Sequence, residues 1–273
     1  MIRLIACSHG TRFADGRRVI ARIRRALASA VPEAEVLEAF VDVEEPAVAE
    51  VVARASAGEF ADRPAVVVPL LLSTGFHTSV DIARAVEPWQ HAIAAGPLGP
   101  HPRLVRALLD RLAEALEADA ADQGGGTGAA RDAGVVGLRE GDHVVLAAAG
   151  SSDPAAARAV EAMRDHLAAH LPCPVIIGYG AGASPSIPQA VSAARDDGAS
   201  RVIAASYVLA PGHFARLVTA SGADLVSAPL GDHPAVIEVA AQRFREALQD
   251  RDRPGPDGSR RCHGELSGIS SGR

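Results

Sequence analysis

Short apolar segments alternate with longer amphipathic segments along most of the chain. In the segment Arg17–Val31, Val19, Ile23 and Leu27 recur at the spacing of one helical face. Continuous apolar strands between amphipathic helices are typical of a parallel sheet that is covered on both faces. The first part of the chain thereby predicts strands at Ile2–Cys7, Ala34–Val41, Ala65–Leu72 and Ile93–Ala95, and helices at Arg17–Val31, Ala47–Ala57, Ser79–Glu87 and Arg103–Ala118.

The chain contains this pattern twice. "PLGPHPRLVRALLDRLAEAL" from Pro97 matches "PLGDHPAVIEVAAQRFREAL" from Pro229, and "VVVPLLLSTGFH" from Val66 resembles "VIAASYVLAPGHF" from Val202. We therefore predict an α/β fold of two similar doubly wound parallel-sheet domains that face each other. The elements of the second copy are expected to begin near Val144, Pro154, Val175, Ile187, Arg201, Phe214, Ala223 and Pro234.

The segments outside the two copies have a different composition. Residues 119–142 contain a glycine run among small and charged residues, which predicts a flexible linker. Residues 250–273 contain Pro, Gly, Ser and Arg without an apolar period, which predicts a disordered tail. The first half is then expected at 1–118 and the second half at 143–249.

Composition excludes several classes of function. The 273 residues carry a formal net charge of −6 and only 3% aromatic residues, which argues against a nucleic-acid partner. No apolar run approaches the ~20 residues of a membrane helix. The three cysteines are far apart and form no metal-binding motif, which fits a reducing compartment. We expect a cytoplasmic monomer without a membrane partner.

Two histidines follow two strands of the first half. His9 comes directly after the first predicted strand, and His77 follows the strand Ala65–Leu72. Because ligands bind at the carboxyl ends of the strands in open parallel sheets, the two imidazoles are expected to converge on one cleft. The neighbouring Gly10 and Gly75 permit tight turns there.

Other polar residues near the same edge have two interpretations each. Asp42 follows the second strand and is a candidate acid assisting the histidines, although an acid before Pro46 also suits an ordinary helix start. Arg12 is a candidate for binding an anionic substrate. His101 and His233 precede matching helices in the two copies, so a shared structural role at the turn is the simplest explanation.

The motifs "SHGTR", "AFVDVEEPAV", "VVVPLLLSTGFHTSVDI" and "PLGPHP" resemble, in this order, the class II chelatases in their long two-repeat form. This family comprises sirohydrochlorin ferrochelatases and cobaltochelatases. The resemblance implies a lyase that inserts Fe²⁺, or alternatively Co²⁺, into sirohydrochlorin during siroheme or cobalamin biosynthesis. It places the catalytic and metal-binding roles on His9 and His77 and the family's acid on Asp42. The metal is a substrate, and no organic cofactor is implied.

The two copies differ at the candidate positions. Ala149 replaces His9, Ala181 replaces Asp42, and His213 is displaced by one position relative to His77. We therefore expect one active site in the first half with the second half as its wall, and the role of His213 stays open.

Two other functions are consistent with parts of the sequence. A tetrapyrrole- or metal-binding protein without turnover would use the same residues. A histidine phosphatase is less well supported, because Ser8 occupies the place of the arginine that such an enzyme needs before its histidine.

Overall fold

The computed structural model describes residues 1–73, 75–122 and 137–252, and for residues 76–78 and 252 it describes the backbone alone. The first half contains β1 (Ile2–Ser8), α1 (Ala14–Ala30), β2 (Ala34–Phe40), α2 (Val48–Ala55), a 3₁₀ turn (Gly58–Phe60), β3 (Ala65–Pro69), α3 (Phe76–Val86), β4 (Ala92–Ala94) and α4 (Pro102–Asp122). The second half contains β5 (Asp142–Ala148), α5 (Pro154–Ala168), β6 (Val175–Tyr179), α6 (Ile187–Asp196), β7 (Arg201–Tyr207), α7 (His213–Thr219), β8 (Leu225–Val226) and α8 (Pro234–Asp252).

The strands form two parallel four-stranded sheets of identical topology. The strand orders are β2-β1-β3-β4 and β6-β5-β7-β8, so β1 and β5 are the corresponding central strands. The predicted α/β fold of two similar doubly wound halves is therefore confirmed.

The central strands β1, β3, β5 and β7 are buried on both faces of their sheets, which explains their apolar sequences. On β1, Leu4 and Ala6 belong to a core shared by the two halves, whereas Ile5 and Cys7 pack in a separate cluster with residues of α2 and α3. The strand alternates its side chains between the two faces. Both faces of the strand must therefore be apolar, and the sequence shows a continuous run of apolar residues.

The last helix of each half packs on the sheet of the other half. Helix α4 packs on β7, β8 and α5, and α8 packs on β3, β4 and α1. At the far end of α4, Asp119 forms an ion pair with Arg201 of β7 at 3.3 Å. The halves thus exchange helices, and their inner faces form one continuous core.

Several helix ends differ from the sequence-based prediction. Helix α1 begins three residues earlier than predicted, at Ala14, and α3 begins at Phe76 directly after the extended residue Gly75, so His77 lies in a helical turn rather than in a loop. Helix α4 continues through Asp122 because alanines with high helix propensity extend it past its last apolar position. Helix α8 likewise includes residues 250–252 of the predicted tail.

The remaining predicted tail, residues 253–273, and residues 123–136 of the predicted linker lie outside the described residues. Within the described ranges, no helix is both long enough and apolar enough to cross a membrane.

Candidate functional site

A cleft of about 610 Å³ lies between the two halves, at the carboxyl ends of their central strands. It is lined by the connections that follow β1, β3, β5 and β7, so each half contributes two of them. This is the position at which open parallel α/β sheets bind ligands. The volume is within the range of about 300–1,000 Å³ that is usual for small-molecule sites.

The walls of the cleft are mainly apolar. Leu70 and Leu72 contribute from the first half, and Ala148, Val208 and Leu209 contribute from the second. Apolar walls on two sides suit a ligand with two extended apolar faces, because its burial removes apolar surface of both partners from water.

His9 lies on the rim of this cleft and its side chain is exposed. The loop that carries it is fixed by Gly10, which has a positive φ of +92°. A side chain at Gly10 would collide with the carbonyl oxygen of Asp42, so glycine is required for this close approach. The His9 carbonyl also accepts a hydrogen bond from the Asp42 N–H at 3.1 Å. The imidazole is therefore presented on a tightly fixed backbone.

Glu44 is the acid that holds this loop. Its Oε1 accepts a hydrogen bond from the Thr11 N–H at 2.7 Å, and its Oε2 forms an ion pair with Arg17 at 2.9 Å. This role is not visible in the sequence, because Glu44 is one of three acids in the same short segment. Only the folded loop brings its carboxylate to the backbone beside His9.

The structure places Asp42 next to His9 through its backbone. Its carboxylate accepts a hydrogen bond from the N–H of Val43 at 2.7 Å, and Val43 has a positive φ of +64°. Val43 lines the cleft, whereas Asp42 does not belong to its lining. The carboxylate thus supports a turn beside the cleft.

Arg12 lines the cleft and is exposed. No carboxylate among the described residues lies within ion-pair distance of its guanidinium group. An unpaired guanidinium on a cleft rim can bind a carboxylate of a ligand with two hydrogen bonds.

His77 is the second residue of α3, and Gly75 before it lines the cleft. Its backbone therefore lies close to the rim that carries His9. The side chain of His77 lies outside the described part of the structure, so its metal-binding role stays a prediction.

The second half contributes His213, the first residue of α7, to the same cleft. It also contributes Tyr207, whose hydroxyl donates a hydrogen bond to the carbonyl oxygen of Leu72 at 3.4 Å across the two halves. Burial raises the pKa of the Tyr207 hydroxyl far above neutrality. Tyr207 therefore stays protonated and acts as a hydrogen-bond donor to the connection after β3.

The second copy repeats the backbone turn of the first without the side chains of His9 and Asp42, which Ala149 and Ala181 replace. Gly150 has a positive φ of +84°, and a side chain there would collide with the carbonyl oxygen of Ala181, as at Gly10 and Asp42. The alignment of Asp42 with Ala181 is thus confirmed.

The histidines before α4 and α8 have the structural role that the repeat predicts. The Nδ1 atoms of His101 and His233 accept hydrogen bonds from the N–H groups of Arg103 and Ala235, each at 3.1 Å. Both rings therefore cap the start of a helix. Residues 1–73, 75–122 and 137–252 contain no cluster of three or more His, Cys, Asp or Glu side chains arranged to hold a metal ion.

Solved structures with this fold include SirB from Bacillus subtilis with Fe³⁺, at 21% identity and a TM-score of 0.65 over 90% of this chain and 96% of that one. The sirohydrochlorin chelatase SirB from Bacillus subtilis subspecies spizizenii in complex with cobalt matches at 21% identity and a TM-score of 0.66, over 95% and 99% of the two chains. CbiX, described as the terminal enzyme for siroheme biosynthesis in denitrifying bacteria, matches at 20% identity and a TM-score of 0.60, over 90% and 99%.

No curated protein sequence is a significant match to this chain. The model of the CbiX family matches twice, at residues 3–115 and at residues 143–247, which are the two copies of the repeat. Together these two matches cover most of the chain. The chain therefore belongs to the CbiX family.

Proposed function

We propose that the protein is a sirohydrochlorin chelatase, a lyase that inserts Fe²⁺, or alternatively Co²⁺, into the macrocycle. The observation that carries this proposal is the apolar cleft between the halves with the exposed imidazole of His9 on its rim. Membership of the CbiX family and the fold shared with SirB support it.

The cleft is suited to a flat substrate with carboxylate groups. Its apolar walls contact the two faces of the macrocycle, and the unpaired Arg12 on the rim binds a peripheral carboxylate. The overall charge of −6 does not oppose this, because substrate steering depends on the local field around the site.

The reaction replaces two pyrrole N–H protons by one divalent metal ion. A neutral imidazole binds Fe²⁺ or Co²⁺ and releases it more readily than a thiolate, so His9 and His77 are suited to deliver the metal. An imidazole also accepts a proton near neutral pH, which is the other requirement of the reaction. Asp42 fixes the turn beside His9, and its role as an assisting acid stays a proposal.

The remaining parts of the proposal concern the setting of the reaction. We propose a cytoplasmic monomer that needs no organic cofactor and no macromolecular partner. Size-exclusion chromatography with light scattering tests whether the protein is a monomer. Activity of the purified protein without added cofactor or partner tests whether it needs either of them.

The decisive experiment is an anaerobic absorbance assay with sirohydrochlorin and Fe²⁺, Co²⁺ or Ni²⁺ offered separately. We expect many metal insertions per protein chain, at a rate well above that of the same mixture without protein. Stoichiometric binding of sirohydrochlorin without acceleration by any metal would refute the enzyme and favour the non-catalytic binding protein.

A further inference from the structure

The second half places one histidine in the cleft, and no described residue forms a hydrogen bond with its ring. His213 is exposed and lines the same cleft as His9. Its ring packs edge-on against Phe214, with 5.3 Å between the ring centres and 65° between the planes. No hydrogen bond or ion pair involves His213 among the described residues, so its nitrogens are available to a ligand.

Arginine supplies the permanent charges in α7 and in the described lining of the cleft. Arg216 lies one turn further along α7 and stacks on Phe13 at 4.4 Å, and Arg12 lines the cleft from the first half. The described residues that line the cleft include no Asp or Glu.

His213 is the only histidine, cysteine or acidic residue that the described part of the second half contributes to the cleft lining. Ala149 and Ala181 occupy the positions that correspond to His9 and Asp42, and Tyr207 is held protonated by burial. His213 aligns with Phe76 rather than with His77, because Gly212 corresponds to Gly75. The comparison of the two copies therefore identifies a histidine displaced by one position and leaves its role open.

Groups on both faces of the macrocycle would assist metal insertion. The incoming cation and the departing protons compete for the same nitrogen lone pairs, and like charges repel each other. A metal that enters from one face therefore favours loss of the protons from the opposite face. His9 belongs to the wall from the first half and His213 to the wall from the second.

We propose that His213 is a further catalytic residue, which accepts pyrrole protons on the face opposite to His9. Two N–H bonds break as the metal–nitrogen bonds form, each proton passes to the free ring nitrogen of His213 and then to water, and no electron is transferred. This inference rests on the proposed chelatase function and assigns to the second half a part of the chemistry.

The test compares His213→Ala and His213→Gln with the wild-type protein in the anaerobic assay, from about pH 5.5 to about pH 8.5. Glutamine keeps a polar side chain of similar size but accepts no proton in this range. We expect kcat to fall about a hundredfold in both variants, the pH dependence of kcat to flatten, and KM for the metal to stay within about twofold. Added free imidazole should restore part of the rate of His213→Ala.

A matched control is His170→Ala, which removes an exposed histidine of the second half outside the cleft. It should retain the wild-type rate and pH profile. Wild-type kcat and pH profile in His213→Gln would overturn the role of His213 while leaving the chelatase intact. Absence of turnover by the wild-type protein with every metal would instead overturn both proposals.

Discussion

Because α4 and α8 each pack on the sheet of the other half, we predict that neither half folds stably when it is separated from the other. We consider two separately produced fragments, residues 1–122 and residues 137–252, which omit residues 123–136 and 253–273. In the intact protein, α4 packs on β7, β8 and α5, all of which belong to the second fragment. The isolated first fragment would therefore contain all four strands of its sheet but lack the surface on which its last helix lies.

The cost follows from the side chains of α4 that would become exposed. Leu104, Val105, Leu108, Leu112 and Leu116 are at most 2% exposed in the intact protein. At about 1.5–3 kcal/mol for each buried side chain, their exposure costs about 8–15 kcal/mol. A typical domain is stable by only about 5–15 kcal/mol. Each isolated fragment should therefore be unfolded or only partly folded as a monomer.

The assay is urea unfolding followed by circular dichroism, with size-exclusion chromatography of each fragment and of their equimolar mixture. We expect no cooperative transition from either fragment alone, and a cooperative transition with a one-to-one complex in the mixture. A homodimer of residues 1–122 would agree with the exchange, because a second copy supplies a sheet for α4. The full chain cut once within residues 123–136 is the control and should stay folded.

One result would refute this reasoning. If residues 1–122 unfold cooperatively as a monomer with a free energy similar to that of the intact protein, α4 must be able to pack on its own sheet. The exchange would then contribute little to the stability of the fold.

Three further predictions concern single residues at the carboxyl end of β1 and at the start of α3. His9→Ala and His77→Ala should each lower kcat about 10²–10⁴-fold in the anaerobic assay with an unchanged circular dichroism spectrum, and a wild-type rate in either would remove that residue from the mechanism. Ser8→Ala should raise the free energy of unfolding, measured in urea, by about 1 kcal/mol. The reason is that the buried Ser8 hydroxyl has no hydrogen-bond partner among the described residues, and that the second half has an alanine, Ala148, at the equivalent position. A loss of stability would contradict this. Burial raises the pKa of Cys7 to about 12, so an alkylating reagent at about pH 8 should label it only after unfolding, as measured by mass spectrometry; rapid labelling of the native protein would show an accessible thiol.

The sequence by itself determined the architecture of each half. Strands that are buried on both faces must be apolar at successive positions, so β1 and β3 are visible as continuous runs. The repeat of "PLG" and "HP" before α4 and α8 reflects an identical helix start in both copies, which the capping bonds of His101 and His233 explain. The placement of His9 at the rim also followed from the chain alone, because a residue directly after a parallel strand lies at the edge where ligands bind.

Only the tertiary structure decided which sheet each helix covers. The apolar face of α4 has the same spacing as that of α8, and such a periodicity identifies a buried face without identifying its partner. Sequence patterns likewise do not show which polar groups meet when they are distant in the chain. The contacts of Glu44 with Thr11 and Arg17 depend on how two loops meet, and His213 faces the cleft of His9 because the two halves pack with their strand ends together. Local sequence patterns indicate whether a residue is buried, caps a helix or forms a tight turn. Only the folded chain determines which distant residue it contacts.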